Sequence, residues 1–252
     1  MEKIQQMKYI FFKTKQQEPD EPKYRCINCS HPLKELYKTY SPTIQKLVEC
    51  DKCNKIADNL IEFDNLYIII NLILLSTEAQ RHVLYNTTCK NLYKILMIII
   101  MLESYFIWNE VTEKSEINLN NDPLFMEKGF YLSTLQIASS NLTFFIIIRI
   151  ISCWAEDKMY RTKNLTLDLL RGFMLASIAK FFFLPIIIWS DNISGLNRST
   201  HLTLVIGYFL ISLIYIHSTI TGCTRKISAS AILLSFIINK YIWLHLNFKN
   251  IF

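Results

Sequence analysis

The chain has 252 residues and a formal net charge of +6, with 51% hydrophobic residues against 19% charged ones. A mean hydropathy of +0.22 excludes a fully solvated globular surface, and only 5 Gly and 6 Pro argue against a loop-rich or disordered chain. Lys and Arg are scattered rather than gathered into one stripe, which speaks against nucleic acid as a partner.

Residues 1–23 read as a mobile leader that ends in the acidic run Glu18-Pro19-Asp20-Glu21-Pro22. Its apolar stretch, Tyr9 to Phe12, is far shorter than the roughly 7–15 residues of a secretory core. The polar head is therefore expected to stay in the cytosol, where its cysteines remain reduced.

Residues 24–63 form a cysteine module, Cys26-Ile-Asn-Cys29, twenty residues, then Cys50-Asp-Lys-Cys53. Two thiolates separated by two residues can point at one ion from a tight turn, and a second such turn completes a tetrahedral four-thiolate zinc site. Tyr, Val and Ile residues around a Ser-Pro turn between the pairs suit the short strands of a zinc ribbon. Such a module is too small to hold itself together by its core, so the metal would supply much of its stability. One structural Zn2+ per chain is predicted, because four protein ligands leave no open position for water. The weighed alternative is two redox or disulfide pairs. His31 is the nearest competing donor, and a polar loop histidine reads as solvated.

The next stretch, Leu66–Leu75, is apolar apart from Asn71. At about ten residues it cannot cross roughly 30 Å of hydrocarbon, so it fits an interfacial or core helix within the segment 64–88. Five longer spans follow, at about 92–109, 130–154, 172–190, 201–222 and 229–246, with a tail at 247–252. Long runs without alternation favour helices over barrel strands. Trp108, Trp154, Trp189 and Trp243 lie near span ends, as interfacial aromatics do. Asn239 and Lys240 interrupt the last span, which leaves open that it lies flat. The fold class predicted is a mainly α multi-span membrane protein with a small N-terminal four-cysteine zinc ribbon.

Loop charges set an orientation. Arg81, Lys90 and Lys94 precede the first span, whereas the loop 110–129 has two Lys against five acidic residues. Lys158, Arg161, Lys163 and Arg171 precede the third span, and only Arg198 lies before the fourth. The alternation puts the head in the cytosol and the C-terminus across the membrane. Six N-x-S/T sequons occur, at Asn28, Asn86, Asn141, Asn164, Asn192 and Asn197, and none is expected to be glycosylated.

Charges inside the spans are expensive and mark a partner or a wet cavity. Counting about 1.5 Å per residue from the cytosolic ends puts Glu103 and Lys180 at depths of about 16 and about 12 Å. They are expected to pair, with a structural role favoured over a functional one. Arg149 and Lys240 are close enough to an interface to snorkel. Gln136, Ser139, Ser140, Asn141 and Thr143 favour close helix packing. Pro185 is expected to kink the third span, and His217 reads as a packing residue near a helix end.

One further set of residues carries a resemblance. The cysteine module runs directly into Ile56-Ala-Asp-Asn-Leu-Ile-Glu-Phe-Asp64, then the run ending Asn71-Leu-Ile-Leu-Leu75, then Ala79-Gln-Arg-His-Val-Leu-Tyr-Asn86. This order over residues 24–88 resembles the Arv homology domain of the Arv family of endoplasmic-reticulum lipid-homeostasis proteins. Asp58, Glu62, Phe63 and Asp64 match its acidic-aromatic stretch, and Arg81, His82 and Asn86 match its final box. Asn59-Leu60 departs from the usual Lys-Tyr step, and Asn71 replaces an acidic residue. Leu170-Arg-Gly-Phe, Ala179-Lys-Phe and Trp189 resemble the family's third span more weakly.

The resemblance implies a multi-pass protein of the endoplasmic reticulum that supports sterol transport and distribution and sphingolipid metabolism. Its partners would be membrane lipids (sterol, sphingolipid or anchor-lipid intermediates) and lipid-synthesis enzymes. The alternatives are a scaffold or flippase-like factor for glycosylphosphatidylinositol anchor synthesis and a membrane-bound lipid enzyme. No HxxxxD pair, serine nucleophile elbow or metal-ligating carboxylate cluster is present in the sequence, so a non-enzymatic role is expected. Four strong ligands also fall short of the eight that a two-zinc RING requires.

Overall fold

The computed structural model describes residues 13–14, 24–41, 44–88, 92–115, 123–155, 164–188 and 195–245. The chain divides into two compact units, Met1–Asn91 and Leu92–Phe252. The leader expected at 1–23, apart from Lys13 and Thr14, and the tail at 247–252 lie outside the described residues, as does the side chain of Trp154 and all of Trp189.

The first unit is built from short antiparallel strands and two short helices. Strand β1 (Lys13–Thr14) pairs with β6 (Thr87–Thr88), β2 (Tyr24–Arg25) with β3 (Pro32–Leu33), and β4 (Tyr37–Ser41) with β5 (Ile44–Leu47). In the last hairpin Tyr37 faces Leu47 and Lys38 faces Lys46. Because strand side chains alternate in direction, Tyr37 packs on the core while Lys38 is exposed. That core is Tyr24, Cys26, Leu33, Leu36, Cys50 and Ala57. It is small, as the sequence requires, and two of its members are metal-ligand candidates.

Helix α1 (Asn65–Ile73) stops without glycine. Leu75 takes a left-handed φ of 58°, and the amides of Leu75 and Ser76 bond the carbonyls of Leu72 and Asn71, the pattern of a Schellman stop. Ser76 then caps α2 (Thr77–Arg81), its hydroxyl accepting from the Ala79 amide at 3.4 Å. A widened π turn, His82–Asn86, continues α2. Ile27, Leu60 and Ala79 form a second small core, with Leu72 packed against it.

The second unit is helical. Its elements are α3 (Leu92–Ser115), α4 (Pro123–Ala155), α5 (Leu165–Ser177), a 3-10 segment (Ile178–Phe182), α6 (Phe183–Ile188), α7 (Gly195–Thr221) and α8 (Arg225–His245). Among the described residues, five stretches are long and apolar enough to cross a membrane: Leu92–Asn109, Glu127–Cys153, Leu165–Ile188, Ser199–Thr221 and Arg225–His245. The third and fourth are the inner ones, 56% and 50% buried, against 17–28% for the others. The molecule is thus a mainly α multi-span membrane protein whose head has the form of a small four-cysteine ribbon.

Aromatic edges hold the bundle together. Phe144 of α4 meets Phe173 of α5, Phe209 of α7 and Phe236 of α8 at centroid distances of 6.0–6.4 Å, within the range for edge-to-face pairs. Beside this node α5 and α7 approach closely. A Cβ on Gly172 would stand 2.6 Å from atoms of both Ile216 and Ile220, so this position admits only glycine without a shift.

Two spans differ from the sequence expectation. The third helix starts at Leu165 rather than near 172, because hydropathy marks where lipid begins and not where the helix begins; Asp168 and Arg171 lie in its polar first turns, 3.9 Å apart. The fifth does not break at Asn239 and Lys240. It is one helix whose Asn239 is buried against α4, while Lys240 remains exposed over the Phe236 ring.

Candidate metal centre

The two cysteine turns are built alike. The Cys26 amide bonds the His31 carbonyl and the Ser30 amide bonds the Cys26 carbonyl; likewise Cys50 bonds Lys55 and Asn54 bonds Cys50, all at 2.8–2.9 Å. Ser30 and Asn54, each just after its second cysteine, take left-handed φ values of 61° and 54°. Asparagine accepts that conformation readily, and serine adopts it at a cost of about 1 kcal/mol. The two turns thus share one backbone geometry, and both thiols of each pair join one cluster.

The four Sγ atoms of Cys26, Cys29, Cys50 and Cys53 all lie within 4.8 Å of one another. Cys26 is 3.7 Å from Cys53, and Cys29 is 3.6 Å from Cys50. A tetrahedron with metal–sulfur bonds of about 2.3 Å has edges of about 3.8 Å, so the donor set fits one such ion. The separations are far from a bonded disulfide of about 2.05 Å, and the cysteines are free. His31 is not among the clustered donors.

Without a cation this cluster is electrostatically awkward. Burial pushes the Cys29 thiol up to about 12, with the thiols of Cys50, Cys26 and Cys53 adding to the rise. Burial also raises Cys26. At Cys50 burial acts in the same sense, but the amides of Lys52 and Cys53 and the thiols of Cys29 and Cys53 outweigh it and bring the group down to about 7. Four thiolates in so small a volume need a cation, and a coordinated thiol gives up its proton outright.

The motif residues fall into two groups. Asp58, Arg81, His82 and Asn86 join the ribbon to the helices behind it. Asp58 is fully buried. Its Oδ1 accepts from the Leu60 amide at 3.0 Å, and its Oδ2 accepts from His82 Nδ1 at 2.7 Å and Asn86 Nδ2 at 2.6 Å. The Asn86 amide also pairs with both backbone groups of Arg25, each at 2.9 Å. Arg81 Nη1 donates to the carbonyls of Ile27 and Asn28, both at 2.7 Å, and so clamps the first cysteine turn. Asn28 crosses to the second turn, donating to the Ile56 carbonyl at 3.1 Å. Glu62, Phe63 and Asp64 lie outside this network on the exposed turn before α1, where the Phe63 ring stacks on Tyr67.

Within the helical unit, Lys180 Nζ donates to Glu103 Oε2 at 2.8 Å and to Asn141 Oδ1 at 3.1 Å, and lies 4.8 Å from the Phe209 ring centre. Three acceptors from three helices thus face its ammonium. The side-chain oxygen of the Asn141 sequon is engaged here, and the side-chain nitrogen of Asn86 in the Asp58 network. Asn192 lies outside the described residues, as does the Asn197 side chain. Arg149 does not simply snorkel. Its Nε donates to Thr166 Oγ1 on α5 at 2.8 Å, and its guanidinium contacts the Cys153 thiol.

Two polar clusters went unread in the sequence. His217, only 1% exposed, sits between Ser152 and Ser228, with Nε2 2.9 Å from Ser152 Oγ and Nδ1 3.0 Å from Ser228 Oγ. Ser152 gives its hydrogen to the Ile148 carbonyl at 2.6 Å, so it accepts from Nε2–H, and Ser228 donates to Nδ1. At Ser152 this polarity is the reverse of an activated serine, while Ser228 points its hydrogen at the ring. The adjacent void, lined by Ile148, Gly172 and Ile216 among others, is about 10 Å³, near the minimum for one water. The second cluster binds α8 to α4. Thr143 Oγ1 is 2.8 Å from Asn239 Oδ1, Asn239 Nδ2 reaches Ser140 Oγ at 3.3 Å, and Trp243 Nε1 donates to Thr143 Oγ1 at 3.1 Å. Polar residues in a hydropathy gap were the available signal for the second; the first joins residues 65 apart and has none.

Residues 25–213 match a family model described as the Arv1-like family. Protein ARV1 of Mus musculus is 31% identical over 176 residues, covering 69% of this chain and 66% of its own length. Protein ARV1 of Homo sapiens is 30% identical over 213 residues, covering 83% and 77%. Protein ARV 1 of Arabidopsis thaliana is 26% identical over 178 residues, covering 68% and 70%. The match spans slightly less than two thirds of the mouse protein. No solved structure matches.

Proposed function

The chain belongs to the Arv1-like family, and on that premise we propose that it is a lipid-homeostasis protein of the endoplasmic-reticulum membrane. It supports sterol transport and distribution and sphingolipid metabolism, by mediating lipid movement rather than by catalysing a reaction. The observation that carries this reading is the extent of the family match, which takes in the ribbon, the motif network and the first three spans together with part of the fourth. The ribbon faces the cytosol in this reading, on the strength of the positive charges before the first and third spans.

Cys26, Cys29, Cys50 and Cys53 hold one Zn2+ in this reading. The ion's contribution is structural, since it would tie two turns that otherwise share little core. The protein residues then transmit that order onward. Arg81 grips the first turn, and Asp58, His82 and Asn86 fasten the ribbon to α2. Membrane lipids are the proposed partners, together with enzymes of lipid synthesis.

The test is the intracellular sterol distribution after depletion of the protein, with rescue by wild type and by Cys26→Ser/Cys50→Ser at equal protein level. Sterol retained in the endoplasmic reticulum and cleared only by wild type is the expected result. An unchanged sterol distribution would overturn the sterol reading and direct attention to anchor-lipid synthesis.

A further inference from the structure

Helix α1 and its flanks carry an apolar surface that the first unit does not cover. Leu66, Tyr67, Ile69, Ile70, Ile73 and Leu74 are 39–72% exposed, and Ile68 alone on the helix is buried. At about 100° per residue these six side chains fill a continuous arc of about 160°. Ile68 and Leu72 fall on the opposite side, and Leu72 packs on Ile27, Leu60 and Ala79. The helix is therefore apolar on both faces, with one face spent on the ribbon unit. Soluble surfaces rarely leave such a patch open.

We propose that this outer face of α1 is a membrane-docking surface that lies in the acyl-chain boundary of a bilayer. Three observations select lipid as the occupant. From Asn65 to Leu75 the sequence has no charged residue, whereas Lys34, Lys38, Lys46, Lys52 and Lys55 all stand exposed elsewhere on the unit. The Phe63 and Tyr67 rings stack at 4.5 Å at one end of the helix, an amphipathic pair suited to the headgroup level. Finally, a bilayer is already at hand. Only residues 89–91 separate Thr88 from Leu92, where the first membrane-spanning stretch begins, and a link of that length reaches at most about 14 Å. An uncharged helix of nine residues is too short to cross, so it lies along the surface. The docking rests on the chain's being a multi-span membrane protein and is independent of which lipid, if any, the protein moves.

The test uses the full chain reconstituted into phosphatidylcholine vesicles. A photoreactive benzophenone side chain replaces Leu66, Ile70 or Leu74, one at a time, with exposed Lys52 as the control position. Retention of the metal shows that the ribbon is intact in each variant. Phospholipid adducts at all three helix positions, lost at Lys52, are the expected outcome. Adducts mapping to residues 1–23 or to a second copy of the chain would overturn the proposal, as would the absence of lipid adducts or equal labelling at Lys52.

Discussion

Asp58 has two carboxylate oxygens and three donors aimed at them, two of which converge on Oδ2. An amide in its place cannot satisfy that arrangement. Whichever way the substituted side chain of Asp58→Asn is turned, its NH2 group meets at least one of the donors from Leu60, His82 and Asn86. Asp58→Asn is therefore expected to cost about 2–3 kcal/mol, close to the cost of Asp58→Ala, since a buried group left unpaired loses its full hydration. Thermal unfolding of the detergent-solubilised full chain, followed by metal release, measures this; a wild-type midpoint for Asp58→Asn would show that the network does not hold the ribbon. The four cysteines were legible because their geometry is local, each pair being set by one turn. The work of Asp58 was not, because its partners His82 and Asn86 stand 24 and 28 residues away, and nothing in the spacing reveals which of the motif's polar groups turn inward. Glu62 and Asp64 share the same motif and face out.

At the scale of elements, the third span is the one that polar chemistry shapes most. Pro185 has no amide to give the Phe181 carbonyl, and its ring crowds that carbonyl, so the turn upstream tightens into the 3-10 segment Ile178–Phe182. Lys180 sits in that segment and is aimed at Glu103 on α3 and Asn141 on α4. A depth difference of only about 4 Å was readable from residue counting, but the third participant was not, since Asn141 resembled one more small polar residue of a packing helix. Glu103→Gln leaves a buried ammonium without its counter-charge and is expected to destabilise the bundle by about 3 kcal/mol. Glu103→Gln/Lys180→Met removes both charges and should recover most of that loss, because a charge-free pair of similar volume no longer has to be desolvated. Folded yield in mild detergent reads both variants. Equal yields for wild type and Glu103→Gln would sink the idea that the pair holds α3 to the third span. The same element logic explains why Asn239 left the fifth span open in the sequence reading. A polar residue in a hydropathy gap signals a break when the chain is viewed alone, yet Asn239 finds Thr143 and Ser140 on a neighbouring helix, and a satisfied amide is tolerated in lipid.

For the whole molecule, the continuity of α8 decides where the chain ends up. Its 21 residues span about 31 Å, enough for a hydrocarbon layer of about 30 Å. Three polar bonds, linking its Asn239 to Thr143 and Ser140 and its Trp243 to Thr143, fasten it along α4. Five crossings by these apolar helices would put the two ends of the chain on opposite sides. In the orientation proposed above, read from Lys and Arg before the first and third spans, the ribbon is on the cytosolic side and the C-terminus is on the lumenal side. A glycosylation acceptor appended after Phe252 should therefore be modified when the chain is expressed in cells. The sequons at Asn28 and Asn86 should not be, because both amides are bonded inside the ribbon unit and the proposed orientation puts that unit on the other side. Gel mobility before and after removal of N-linked glycans reads the result. An unmodified appended acceptor, together with protease cleavage of the tail from the cytosolic face, would mean that α8 turns back; the polar seam with α4 would then have to form without a fifth crossing.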